Sequence, residues 1–375
     1  MPPRPPRSGE VSADRRVTFR LRAPNAQQVS AEGNWPGEHK LALAKGADGL
    51  WTVTTPPLDA EIWSYTYVVD GTAMLDPGNF HVVRDGTRYL NTVLIPGPAS
   101  VLYQARAVPH GTVAAVWYRS STLKAPRRLL VYTPPGYDDS HDRYPVLYLF
   151  HGGGGDEEAW DVMGSANVIM DNLIANQRAK PMIVVMPNAN WNQTAALDLG
   201  GDTGEPPPLP TTPGRSANAT GTGADYARGE REVVGDIIPF IERSFRTLSG
   251  RDQRAIAGLS MGGGISINIG LKRLDQFASV AEFSSGMFGG VNGYAPFDFG
   301  TTSPGFLTDP KTTNERLKVL YFSCGADDPR MPFQKKAVEQ LRSSGVHVTF
   351  ESFPGMHEWR VWRNSLASLA PLLFH

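Results

Sequence analysis

Cysteine is nearly missing from this chain: among 375 residues only Cys324 is one. That rules out an intramolecular disulfide and any zinc site built on clustered cysteines. An excess of one charge is missing as well. The 36 lysines and arginines stand against 37 aspartates and glutamates, for a net charge of −1. Such a balance gives no basic footprint for a phosphate backbone, so nucleic acid is not an expected partner. No stretch approaches the roughly 20 uninterrupted apolar residues that span a bilayer, and Met1 to Glu10 lack the apolar segment of a secretory signal, so no membrane partner is expected either. The single Cys324 lies in the apolar run Val319 to Cys324, where a buried strand cysteine is the expected reading.

What is present is enough chain for two domains, since 375 residues exceed the roughly 100 to 200 of one typical domain. The opening MPPRPPRSGE is rich in proline and arginine with nothing to bury, so residues 1–14 are expected to be a disordered leader or the trimmed end of a longer precursor. Residues 15–100 read as short strands broken by Gly, Pro, Asn and Asp, in RVTFRLRAP, QVSAEG, LWTVTT, WSYTYVVDG and NTVLIPG. This spacing predicts a small antiparallel, immunoglobulin-like β-sandwich. Val17, Phe19 and Leu21, and again Trp63, Tyr65 and Tyr67, alternate as strands with one buried face require, and Asp70-Gly71 is a hairpin-turn pair.

After Pro96-Gly97-Pro98 the texture changes to β-runs alternating with helical segments, which predicts an α/β domain with a mostly parallel sheet over residues 101–375. Strands are expected at 112–118, 128–133, 146–150, 182–186, 255–258, 318–323 and 346–353, and helices at 166–176, 233–245, 263–273, 334–343 and 360–373. Residues 188–222, with Pro206-Pro207-Pro208 and no periodicity, read as a long loop that either covers a site or is a disordered insertion.

The chemistry concentrates in Gly258-Leu259-Ser260-Met261-Gly262, a G-x-S-x-G pentapeptide between an expected strand and an expected helix. A nucleophilic serine needs a sharp, strained turn to project its hydroxyl, and only small neighbours permit that turn. A serine hydroxyl is a weak nucleophile until a base takes its proton. His357, in the loop Phe353-Pro354-Gly355-Met356-His357 between the last strand and last helix, is the expected base, while His347 sits in a strand-like run and reads as structural. The acid that orients the imidazole should follow the preceding strand, where Asp327 and Asp328 are adjacent; Asp328 is preferred and Asp327 is the alternative. The oxyanion needs backbone N–H donors, one from Met261 and a second from the Gly152 to Gly155 run, assigned to Gly153. His151 reads as a brace for that run, and the sequence calls for neither metal nor cofactor. Trp160, Trp191 and Tyr226 are candidate platforms for an aromatic acid or a sugar, with core packing as the competing role.

These residues resemble the carbohydrate esterases that include feruloyl and acetyl xylan esterases, related to the esterase D and enterochelin esterase group. The resemblance is carried by Val131-Tyr132-Thr133-Pro134-Pro135-Gly136-Tyr137, Leu147 to Gly155, Ala166 to Leu173, Arg254 to Gly270, Cys324 to Asp328 and His357 to Trp362. It implies an α/β-hydrolase fold and supports Asp328 as the acid. It also implies a serine esterase that cleaves ferulate or a similar acyl group from plant cell-wall xylan, secreted or periplasmic. Acetyl xylan esters, siderophore esters, and carbohydrate binding by a silent hydrolase domain are the alternatives. The segment with Arg20-Leu21-Arg22-Ala23-Pro24-Asn25-Ala26 and Asn34-Trp35-Pro36-Gly37 is similar to the glycogen-binding-type sandwiches that precede some of these esterases. There Trp35 would either bind glycan or pack the interface between the two domains.

Overall fold

The computed structural model describes residues 5–196, 223–285 and 299–375. The chain divides into two compact units, Met1–Gln104 and Ala105–His375.

Both sheets of the first unit are antiparallel. One sheet runs in the order Glu10–Val11, Val17–Arg22, Leu50–Thr54, Ala44–Lys45, and the other in the order Lys40–Ala42, Val29–Gly33, Ile62–Val69, Arg88–Leu94, Val82–Asp85. The alternating residues face inward: Val17, Phe19 and Leu21 from one sheet meet Trp63, Tyr65 and Tyr67 from the other in a single core. Trp35 belongs to the same core. Its ring is 2% exposed, stacks on Phe19 at 5.6 Å and donates its N–H to the Glu38 carbonyl at 2.8 Å, so it packs the sandwich and offers no face to a glycan.

One expectation is corrected here. Part of the predicted leader is built into the sandwich, because Ser8 is buried with its hydroxyl 2.8 Å from the Tyr67 hydroxyl and accepting from the Arg20 N–H at 3.0 Å, and Glu10–Val11 pairs with Val17–Thr18. Proline and arginine content hid a segment tied down by hydrogen bonds, which composition does not register.

Among the described residues, the second unit holds a sheet of eight strands: β1 (Thr112–Ser120), β2 (Ala125–Thr133), β3 (Val146–Phe150), β4 (Ile183–Pro187), β5 (Arg254–Gly258), β6 (Ser279–Phe283), β7 (Val319–Gly325) and β8 (Thr349–Phe353). Their spatial order is β1-β2-β4-β3-β5-β6-β7-β8, and every pair from β4 onward is parallel. Strands β3, β4, β5 and β6 are buried along their whole length, as a sheet covered on both faces demands. The α/β expectation therefore holds.

Several elements differ from the sequence reading, among them the short helices Ala159–Val162 and Pro310–Arg316, which it did not assign. β6 went unassigned because Glu282 interrupts its apolar run, and the helix expected to start near 233 begins at Gly223, passing through one wide turn at Val233–Ile237 to reach Ser244. The parallel arrangement puts the carboxyl ends of β3 to β8 along one edge, where such sheets present their ligands.

Candidate active site

Ser260 sits on the turn that leaves β5, with φ 50° and ψ −113°. This is a conformation that an L-residue holds only when its surroundings enforce it, at a cost of order 1–3 kcal/mol. The enforcement is visible. A Cβ on Gly258 would fall 2.4 Å from the backbone of Gly262, and one on Gly262 would fall 2.4 Å from the His151 carbonyl oxygen, so the turn closes only with glycine on both sides. The Ser260 N–H donates to the Phe283 carbonyl at 2.8 Å, fixing the turn to the end of β6. The helix Met261–Lys272 starts at the next residue, which leaves the Met261 N–H among the donors that lack an acceptor within the helix.

His357 arrives from the loop after β8. A Cβ on Gly325, at the end of β7, would lie 2.4 Å from the Met356 carbonyl oxygen, so the histidine loop passes directly over a bare backbone. The Ala326 and Asp327 N–H groups donate to the Phe353 and Gly355 carbonyls at 2.8 and 3.0 Å, joining the two loops. The result is a continuous path: Ser260 Oγ to His357 Nε2 at 2.9 Å, and His357 Nδ1 to Asp328 Oδ2 at 2.8 Å. Asp328 is 2% exposed, and its second oxygen accepts from the Arg330 backbone N–H at 2.9 Å. Asp327 and His347 are both exposed and take no part.

Burial pushes the His357 pKa below the ordinary imidazole value, against the opposing pull of the Asp328 hydrogen bond. The ring is thus neutral at neutral pH, with Nδ1–H directed to the carboxylate and the Nε2 lone pair directed to serine. Burial pushes Asp328 upward, but the His357 hydrogen bond and charge, with the Arg330 N–H and guanidinium, bring its carboxyl below the usual range. It stays ionised.

The Gly-rich segment follows β3. A Cβ on Gly152 would lie 3.3 Å from Ser260 Cβ, whereas one on Gly153 would meet nothing within 4 Å, so the backbone at Gly153 faces open space near Ser260. His151 is buried behind it. Its Nε2 accepts from the Ala189 N–H at 2.8 Å, which leaves Nδ1–H to donate to the Gly152 carbonyl at 2.7 Å and braces the segment. Burial holds the pKa of this imidazole down as well.

The three aromatic candidates separate. Trp160 is 1% exposed, donates its N–H to the Phe150 carbonyl at 2.9 Å and packs edge-on to Trp359, so its ring lies behind the site and the expected substrate platform is corrected to a packing role. Trp191 and Tyr226 are half-buried against the core of the second unit. Of the loop expected at 188–222, residues 197–222 lie outside the described residues. Cys324 is fully buried and burial pushes its thiol pKa far up, as an inert strand cysteine.

Two residues escaped the sequence reading. Arg330 carries no motif beyond standing two positions after Asp328. Glu282 is a fully buried carboxyl whose Oε2 accepts from the Ser285 N–H at 2.8 Å. Its pKa is pushed up by burial to about 7.

The site's geometry can be set beside known proteins. The model of the Esterase family matches residues 120–373. An endo-1,4-beta-xylanase/feruloyl esterase of Xylanibacter ruminicola is 31% identical over 371 residues, 97% of this chain, while this chain spans 45% of that protein. A solved structure described as a ferulic acid esterase is similar with a TM-score of 0.54 at 25% identity, over 70% of this chain and 97% of its own. The enterobactin esterase of Shigella flexneri reaches a TM-score of 0.65 at 17% identity over 96% of this chain and 94% of its own, a likeness of fold. The eight-stranded unit has the α/β-hydrolase fold. With a match running from the end of β1 almost to the last residue, the chain belongs to the Esterase family.

Proposed function

We propose that the chain is a serine carboxylic-ester hydrolase that releases ferulate or a related hydroxycinnamate from plant cell-wall xylan through an acyl-enzyme intermediate. The observation that carries the reading is the unbroken hydrogen-bonded path from Ser260 through His357 to Asp328, hung from a turn that only glycine neighbours allow. Ser260 Oγ attacks the ester carbon as His357 Nε2 takes its proton, and Asp328 holds the imidazole in the tautomer that can accept it. The N–H groups of Met261 and Gly153 receive the oxyanion. His357 then returns the proton to the departing sugar oxygen. A water molecule, deprotonated by the same imidazole, cleaves the acyl-serine in the second half of the cycle.

The choice of a hydroxycinnamate rests on the feruloyl esterase relatives. A polymeric wall substrate does not enter a cell, so a secreted or periplasmic location follows from this reading. The test is hydrolysis of methyl ferulate beside 4-nitrophenyl acetate by the native chain and by Ser260→Ala. Ferulate release that vanishes in the variant is the expected result. Acetate release alone retains the mechanism and moves the substrate to acetylated xylan, and full activity in the variant overturns the role of Ser260.

A further inference from the structure

We propose that a recess beside Trp191 is a saccharide subsite that holds the sugar chain to which the acyl group is esterified, an inference that rests on the xylan-ester reading above. The recess has a volume of about 300 Å³, at the lower end of small-molecule sites, and is lined by Trp191, Asn192, Gln193, Arg228, Thr122 and Arg127 among others.

Its position follows from the topology. Trp191 to Gln193 come shortly after β4, Thr122 shortly before β2, and β2 runs antiparallel to β4 with Leu129 opposite Pro187. The start of β2 and the end of β4 therefore share the edge of the sheet from which Ser260 projects after β5. In the order β2-β4-β3-β5, the recess stands two to three strands from the nucleophile. At ~4.8 Å per strand that is roughly 10–14 Å. An acyl carbonyl must touch Ser260, so a recess this far off fits the leaving-group side of the ester.

The lining has the chemistry of a sugar site. The half-buried indole of Trp191 supplies an apolar surface for the C–H face of a pyranose, while the amides of Asn192 and Gln193, the Thr122 hydroxyl and the Arg228 guanidinium supply hydrogen bonds to ring hydroxyls. No carboxylate is among the described lining residues. The indole is pre-positioned: the Arg127 guanidinium lies 5.9 Å from its ring centre and is itself anchored on the carbonyl oxygens of Asn188, Asn190 and Gln193. Arg228 is exposed, and among the described residues its hydrogen bonding amounts to a long contact of 3.5 Å with Asn192 Oδ1, so it is available to a ligand. The segment bearing Trp191 also reaches the Gly-rich loop, where Asn190 Nδ2 donates to the Gly155 carbonyl at 2.7 Å. A sugar seated at Trp191 is thus coupled to the loop beside Ser260.

Gly229 gives a mild way to disturb the recess. A Cβ there would lie 2.6 Å from Trp191 Cζ2, so Gly229→Ala displaces the indole while adding a better helix former. The experiment titrates xylotetraose into the Ser260→Ala chain and follows tryptophan fluorescence, alone and with Gly229→Ala or Arg228→Ala added. Saturable binding that weakens about tenfold with either change is expected, the size of one lost contact. Absence of binding, or binding indifferent to both changes, overturns the proposal. In a parallel arm, the ratio of kcat/KM for a feruloylated xylo-oligosaccharide to that for methyl ferulate is expected to fall about tenfold in the two variants of the active chain, and a constant ratio argues against the subsite. If the native chain cleaves neither ferulate ester, the acyl reading fails while the titration still decides the subsite.

Discussion

The guanidinium of Arg330 lies 3.3 Å from Oδ1 of Asp328, the carboxylate oxygen that His357 leaves free. Its positive charge disfavours a second positive charge on the imidazole, and it acts in the same direction as burial in lowering the His357 pKa. In the proposed mechanism only neutral His357 can accept the serine proton. On the acid side, kcat/KM should therefore fall with a midpoint below the usual imidazole value of about 6.5. Replacing Arg330 by alanine removes one of the forces holding that pKa down, so the acid limb should move to higher pH. A pH profile of kcat/KM for native and Arg330→Ala chains measures it, and a limb that stays in place or moves toward acid contradicts the argument.

The adjacent carboxylates give a sharper contrast. Asp328→Asn keeps the volume but removes the charge that stabilises protonated His357 and can reverse its tautomer, so kcat should fall about 10⁴-fold. Asp327→Asn changes an exposed side chain that does not touch the imidazole, and its kcat should stay within about a factor of two. Steady-state kinetics on the pair decides between them.

Glu282 makes stability depend on pH in a direction opposite to that of an ion-paired carboxylate. Its folded pKa of about 7 stands above the ordinary 4.5 because the carboxyl is buried, with the Asp328 charge adding a smaller push the same way. The folded state holds this proton more tightly than the unfolded state does. Stability is then lost as pH rises from about 4.5 to 7, a loss of roughly 3 kcal/mol over 2.5 pKa units. In Glu282→Gln the amide oxygen can still accept from Ser285 N–H, and the side chain has nothing to ionise. Denaturant unfolding at pH 5 and pH 8 should show the variant gaining on the native chain at the higher pH by a few kcal/mol, and an equal difference at both would refute the burial argument.

Trp160 tests packing against binding. Trp160→Ala empties a fully enclosed site behind Phe150 and Trp359 and should lower unfolding free energy by about 3–5 kcal/mol. The signature of a substrate platform would be the reverse, a raised KM on a chain of native stability, and thermal melting beside KM for methyl ferulate separates the two.

The legible parts of the fold were those whose physics is local. β3 is five apolar residues in a row, and Trp63, Tyr65 and Tyr67 alternate, so burial on two faces or one can be read directly. That Ser260, Asp328 and His357 come together could be read in sequence because a G-x-S-x-G turn needs its glycines adjacent and because the chain order of the three follows strand topology. What could not be read depended on partners distant in sequence. β6 conceals a carboxyl that the Ser285 N–H partners within the fold, Ser8 is secured by Tyr67 and Arg20, and Trp160 and Trp191 are the same residue type with opposite surroundings.

The path from Ser260 through His357 to Asp328 joins residues 97 and 29 positions apart. During refolding, β8 must have paired with β7 before the histidine loop has a floor to cross, so sheet and core can form while the serine still lacks its base. Recovery of turnover should therefore lag behind recovery of helix and strand signals, which makes this site a clock for the last step of its own assembly.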